Sequence, residues 1–218
     1  MRLAPRLEKV KPSPTLMVTV KVAALRRKGI EVIDFGTGEP DFDTPDHIKQ
    51  AAHAALDRGE TKYAKPASGV AELKSAVIDK LGRENNLTYA PDQIIATIGG
   101  KEGLYLAFAT LLDLGDEVIV PTPYWVSYPE QIKLVGGVPV FIDAGAASGF
   151  KITPEQLRAA ITPRTRAFVF NSPSNPTGAA YSPEETDALA AVLADTDVIT
   201  LSDEMYDRLL FGLSLIHI

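Results

Sequence analysis

The stretch "FVFNSPSNPTG", residues 168–178, joins an apolar, strand-like run to a loop holding two asparagines, two prolines and a glycine. A plain connector needs a turn residue or two. This loop is stiff and polar at once, as if made to hold side-chain amides at the end of a buried strand. Across the chain, six runs read as strands: residues 32–35, 94–98, 117–120, 138–142, 167–170 and 198–201. Most are continuously apolar and β-branched rather than alternating, which suits a sheet covered on both faces. Helical patterns lie between them. "TPDHIKQAAHAALDRG" opens with a Thr N-cap and Pro at the first helical position and closes on Gly. "SGVAELKSAVIDKLGREN" spaces Val70, Leu73, Val77 and Leu81 along one face. "SPEETDALAAVLADTD" sets Glu185 three residues after Ser182, as a capping box does. Alternating helices and strands predict a parallel, doubly wound α/β sheet. Residues 1–44 behave differently and read as an arm and loop outside that sheet.

Composition narrows the function classes. With 45% hydrophobic and 23% charged residues, the 218-residue chain is ordinary for a globular protein. A net charge of -6 argues against nucleic acid or an anionic membrane as partner. Cysteine is absent, and His47, His53 and His217 do not cluster, so neither disulfides nor a metal centre are expected. Arg2, Arg6, Lys9 and Lys11 precede an apolar run of only five residues, 16–20, too short for a secretory core. The expected location is cytoplasmic.

Three segments could carry chemistry. In "ATIGGKEGLYLAFATLL" a strand ends in Gly99-Gly100 and a helix begins at once. Backbone amides at a helix start form an anion or phosphate cradle, though the pattern also suits a tight strand-to-helix turn. It is neither GxGxxG nor GxxxxGK[ST]. "PTPYWVSYPEQIKLVGG" puts Trp125, the chain's one tryptophan, at the edge where open α/β sheets bind ligands; core filling is the alternative. "VITLSDEMYD" ends a strand in Asp203, with Tyr206 three residues on. That carboxylate could pair with a cationic ring nitrogen or simply cap the next turn.

In order and spacing, "GTGEPDFDTP", "TKYAKPASG", "GGKEGLYL", "PTPYWVSYPE", "NSPSNPTG" and "SDEMYD" resemble the class I aminotransferases that use pyridoxal 5′-phosphate (PLP), with the bacterial aspartate aminotransferase branch as the best match. The resemblance implies an incomplete PLP-transferase type I large domain, a three-layer α/β/α arrangement with a mostly parallel sheet, over residues 45–211. It implies an N-terminal arm and part of a small domain in residues 1–44. By position, Asn175 and Tyr206 would reach the phenolic oxygen of PLP, Asp203 its pyridine nitrogen, and Trp125 its ring face. The amides of Gly100 and Lys101 would hold its phosphate, and Tyr63 the phosphate of a neighbouring subunit in a homodimer. Gly38, Trp125, Asn175 and Lys101 would face the amino-acid or 2-oxo-acid substrate. The loop reads Ser174 where relatives commonly have a second asparagine.

The resemblance also marks what is missing. The family's Schiff-base lysine follows the SDE segment, yet the last lysine here is Lys151, so no catalytic residue is assigned. Arg208 lies too early to match the arginine that binds the substrate carboxylate. Residues 212–218, which close on "LSLIHI", do not resemble the family and read as a foreign tail. In the family fold, later strands insert beside the run at 94–98, so that run is expected to lack a partner, and the isolated chain to be poorly soluble or partly molten. The expected activity is amino-group transfer from an L-amino acid, aspartate, to a 2-oxo acid, 2-oxoglutarate, with this fragment inactive alone. Other enzymes of the same fold, a non-catalytic binder of PLP or a phosphate ligand, and an unrelated nucleotide-binding domain are the alternatives.

Overall fold

The computed structural model describes residues 3–36, 38–40 and 42–210. The suspected foreign tail, residues 212–218, lies outside them. The chain forms two compact units, Pro12–Thr97 and a second made of Met1–Lys11 with Ile98–Ile218.

In the first unit α1 is Pro14–Arg27, α2 is Asp46–Asp57 and α3 is Ala71–Asn85. Ser13 caps α1, its side chain accepting from the Leu16 amide. At α2 the expected Thr cap is absent: Pro45 takes the N-cap position with no side-chain cap bond, and the Thr44 amide donates to Asp43 Oδ1 instead. Asn86 closes α3 in the left-handed conformation, which asparagine tolerates well. Lys74 is buried, yet its ammonium is satisfied by Ser68 Oγ at 2.6 Å and the Pro91 carbonyl at 2.9 Å. It fastens the turn before α3 to the turn after it.

The second unit holds α4 (Gly100–Leu111), β1 (Glu117–Thr122), α5 (Ser127–Val135), β2 (Val138–Asp143), α6 (Pro154–Ala160), β3 (Thr165–Asn171), α7 (Pro183–Leu193) and β4 (Ile199–Asp203). The strands form one parallel sheet in the order β2-β1-β3-β4. Side chains alternate across it, because successive residues of a strand point to opposite faces. Val118, Val120, Ala167 and Val169 pack with Phe108 of α4 and Ile132 of α5. Ile119, Phe168 and Phe170 pack with Leu157 of α6 and Leu189 of α7. Both faces are covered at the central strands β1 and β3, as their unbroken apolar runs predict, while β2 and β4 stay partly exposed.

Two expected strands do not form. Residues 32–35 and 94–98 are irregular, with Ile95 67% and Ile98 90% exposed. A strand exists only through its ladder, and neither run pairs with a strand among the described residues. In the second run the Ala96 amide reaches the Ser68 carbonyl instead.

The capping box of α7 forms as read: Ser182 Oγ accepts from the Glu185 amide at 3.2 Å, and Glu185 Oε2 accepts from the Ser182 amide at 2.7 Å. Glu185 also holds Lys151 at 2.5 Å and 2.7 Å, tying the entry to α6 to the start of α7. At the opposite end of the sheet Glu117 is buried and accepts from Thr162 and Arg164. These ties fix the strands lengthwise, and so fix where their C-terminal tips lie.

Candidate functional site

The C-terminal ends of β3 and β4 come level because Asn171 pairs with Asp203 in the sheet register. From there the loop of residues 171–178 folds back on itself. The Ser174 amide donates to the Ala179 carbonyl at 2.8 Å, and the Gly178 amide returns to the Ser174 carbonyl at 2.8 Å. Gly178 sits at φ +72°, where a side chain would be strained. Asn171 is the hub. Its Oδ1 accepts from the Asn175 amide at 2.7 Å, while its Nδ2 donates to the Asp203 carbonyl at 2.9 Å.

This arrangement opens a cavity of about 750 Å³ at the strand tips, within the range of small-molecule sites. Six of the residues singled out in the sequence line it: Gly100, Lys101, Trp125, Asn175, Asp203 and Tyr206. Asn175 Nδ2 stands 3.4 Å from the Tyr206 hydroxyl, so amide and phenol converge on one spot. Asp203 Oδ1 accepts from the Met205 amide at 3.2 Å, so the carboxylate does cap the following turn while also facing the cavity.

Gly99 precedes α4 at φ +97°, a backbone only glycine adopts readily. The amides of Glu102 and Gly103 bond the Gly99 carbonyl, and the amides of Gly100 and Lys101, ahead of them, are the ones a helix leaves unbonded at its start. Glu102 reaches back to the Ile98 amide at 2.7 Å, so its carboxylate is engaged behind the turn. The Lys101 ammonium lies 5.2 Å from the centre of the Trp125 ring, within cation–π range. Gln131 of α5 donates to the Lys101 carbonyl at 2.7 Å, and its own Oε1 is buried without a partner.

Gly38 and Tyr63 belong to the other compact unit. Tyr63 is 95% exposed, and open space surrounds Gly38. Among the described residues no cluster of three or more acidic or histidine side chains could hold a metal, and no helix is long and apolar enough to cross a membrane.

Two cavity residues were missed in the sequence. Asn171 stands in the quoted loop, but its hub role needs a partner 32 residues away. Tyr128 follows Trp125 by three, a helical spacing that was the available signal. Its hydroxyl donates to Asp203 Oδ2 at 2.6 Å, and its ring meets Trp125 edge-on at 5.3 Å. Burial first, then the Asp203 carboxylate, push the phenol far above its ordinary pKa, so it stays a donor.

The chain is similar along nearly its whole length to known proteins. The family described as aminotransferase class I and II matches residues 30–217. The aspartate aminotransferase of Geobacillus stearothermophilus is 51% identical over 212 residues, 97% of this chain and 54% of the relative. The aspartate/prephenate aminotransferase of Cereibacter sphaeroides is 54% identical over 210 residues, 96% of this chain and 52% of the relative. The structure of Thermus thermophilus aspartate aminotransferase with maleate superposes at a TM-score of 0.95 with 48% identity, covering all of this chain and 57% of that one. This chain thus spans about half the length of the curated relatives it matches.

Proposed function

Because the chain belongs to the class I and II aminotransferases, a family of PLP-dependent transaminases with the type I PLP-transferase fold, we propose that its cavity is the cofactor half of a transaminase site. The reaction proposed for the whole protein is amino-group transfer between L-aspartate and 2-oxoglutarate. One observation carries this reading: a carboxylate, an amide, a phenol, an aromatic face and a helix start converge on a single cavity.

The donor set fits PLP group by group. Asp203 suits a protonated ring nitrogen, since a carboxylate there keeps the ring cationic. Asn175 and Tyr206, 3.4 Å apart, suit the ring hydroxyl. The open amides of Gly100 and Lys101 suit a phosphate, which the helix dipole also favours. Trp125 offers a flat face for stacking. When bound, PLP supplies an electron sink for charge released at the amino acid's Cα. The chain's own residues hold, orient and polarise. Lys101, at the cavity wall, offers a cation for a second substrate carboxylate. Tyr63, fully open to solvent, would serve the phosphate of a neighbouring subunit in a cytoplasmic homodimer.

The chain carries no lysine beyond Lys151, which is paired with Glu185. The 218 residues alone are therefore proposed to bind without turning over.

The test uses Trp125, the only tryptophan, as a built-in reporter. PLP added to the protein is expected to quench its fluorescence saturably, and Asn175→Ala with Asp203→Ala to weaken binding at least tenfold. Borohydride should leave no stable adduct on this chain. Folded protein whose tryptophan emission ignores millimolar PLP would refute the site.

A further inference from the structure

Gln131 makes one hydrogen bond outside its own helix and leaves another unmade. It stands in α5 beside Ile132, which shares an apolar cluster with Phe108 of α4. Its Nε2 donates at 2.7 Å to the carbonyl of Lys101, the second residue of α4, 30 positions earlier in the sequence. A carbonyl bonds only to a donor, so the amide nitrogen faces Lys101 and Oε1 turns away from it. There Oε1 is buried without a partner. An unpaired buried acceptor lowers stability, a cost that an apolar side chain of the same length would not carry.

We propose that Gln131 is a positioning residue for the phosphate cradle: it holds the first turn of α4 by the Lys101 carbonyl, and it does so at the expense of stability. The apolar contact of Phe108 with Ile132 is non-directional and leaves α4 free to turn slightly against α5. A hydrogen bond to one carbonyl is directional and pins that turn. The carbonyl, the amide and the side chain of Lys101 all branch from one Cα. Holding the carbonyl therefore holds the aim of the Lys101 amide, and with it the ammonium 5.2 Å from the centre of the Trp125 ring. Because α5 begins two residues after Trp125, the same bond sets the spacing between the cradle and the ring wall. The inference rests on the reading that the Gly100 and Lys101 amides receive the PLP phosphate.

The test compares PLP with pyridoxal, which lacks the phosphate, by quenching of Trp125 fluorescence, alongside the urea midpoint. Gln131→Met keeps the length of the side chain and removes both the donor and the unpaired oxygen. It is expected to raise the PLP dissociation constant about fivefold, the effect of one net hydrogen bond, with pyridoxal binding unchanged and the urea midpoint equal to the parent's or higher. Gln131→Glu, which keeps the shape but presents an acceptor to the carbonyl, should weaken PLP at least as much. Parent-like PLP affinity in either variant overturns the role of Gln131 and leaves the cradle standing. So does a lowered urea midpoint with PLP and pyridoxal weakened alike, since that is loss of packing alone. A parent protein that binds PLP no more tightly than pyridoxal, or binds neither, overturns the cradle and the role of Gln131 together.

Discussion

Replacing Asn171 by alanine tests whether the cavity is held by one side chain. Three bonds are lost: from the Asn175 amide at 2.7 Å, to the Asp203 carbonyl at 2.9 Å, and to the Pro173 carbonyl at 3.3 Å. The Asp203 carbonyl keeps the Ser172 amide at 3.3 Å, and the longest bond contributes least. The cost therefore centres on the Asn175 amide, half-buried and stripped of its acceptor. A net bond is worth about 1 kcal/mol and a buried polar group left unpaired costs about 1–3 kcal/mol, so about 2 kcal/mol is expected. Urea denaturation followed by far-UV circular dichroism measures it as a lowered midpoint at unchanged slope. PLP titration should weaken in parallel, because the Asn175 side chain rides on that amide. Asn171→Asp keeps the acceptor and loses the donor, so it should restore the loop in part while repelling the Asp203 carbonyl. An alanine variant within about 0.3 kcal/mol of the parent, with unaltered PLP binding, would refute the hub; a change that small lies below even one ordinary net hydrogen bond.

Two further outcomes follow from the scaffold. Ser182→Ala removes half of the α7 capping box and should cost about 1 kcal/mol in thermal or urea unfolding. The Thr162 hydroxyl first, and then the Arg164 guanidinium, hold the Glu117 carboxyl below its usual range. A carboxyl depressed in the folded state stabilises above its unfolded pKa, about 4.3, and loses that contribution as pH falls through the folded value. Parent protein should therefore show a falling urea midpoint below about pH 4, and Glu117→Gln a flatter acid limb; identical limbs would contradict the assignment.

The four paired strands were legible from their apolar, β-branched runs, which in β1 and β3 record burial on two faces. At residues 32–35 and 94–98 the same signal marks no strand, and the second run, expected to lack a partner, pairs with none among the described residues. Hydrophobic pattern reports a tendency to be covered, whereas a strand also needs a neighbour with free amides and carbonyls. Local chemistry read well at Ser182 and Glu185, where both partners lie within one turn. At Pro45 it failed, since Thr44 found a different use. Of the site, Asn175, Asp203 and Trp125 were visible through motif order. Tyr128 and Asn171 were not, because each acts through a contact with Asp203 that only the level ends of β3 and β4 create.

The alternation of the sheet has a consequence for how freely this chain can vary. Residues that shape the cavity descend from one face, through Trp125 and Tyr128 packed with α4 and α5. The reverse face, with α6, α7 and the Lys151–Glu185 tie, meets the cavity through the strands and through the loop of residues 171–178, which runs on to Tyr181 of that face. Substitutions, labels or fusions on the outer surfaces of α6 and α7, away from that loop, are thus separated from the cavity by the sheet. Changes of equal size on α5 press directly on the cavity wall that Trp125 and Tyr128 form.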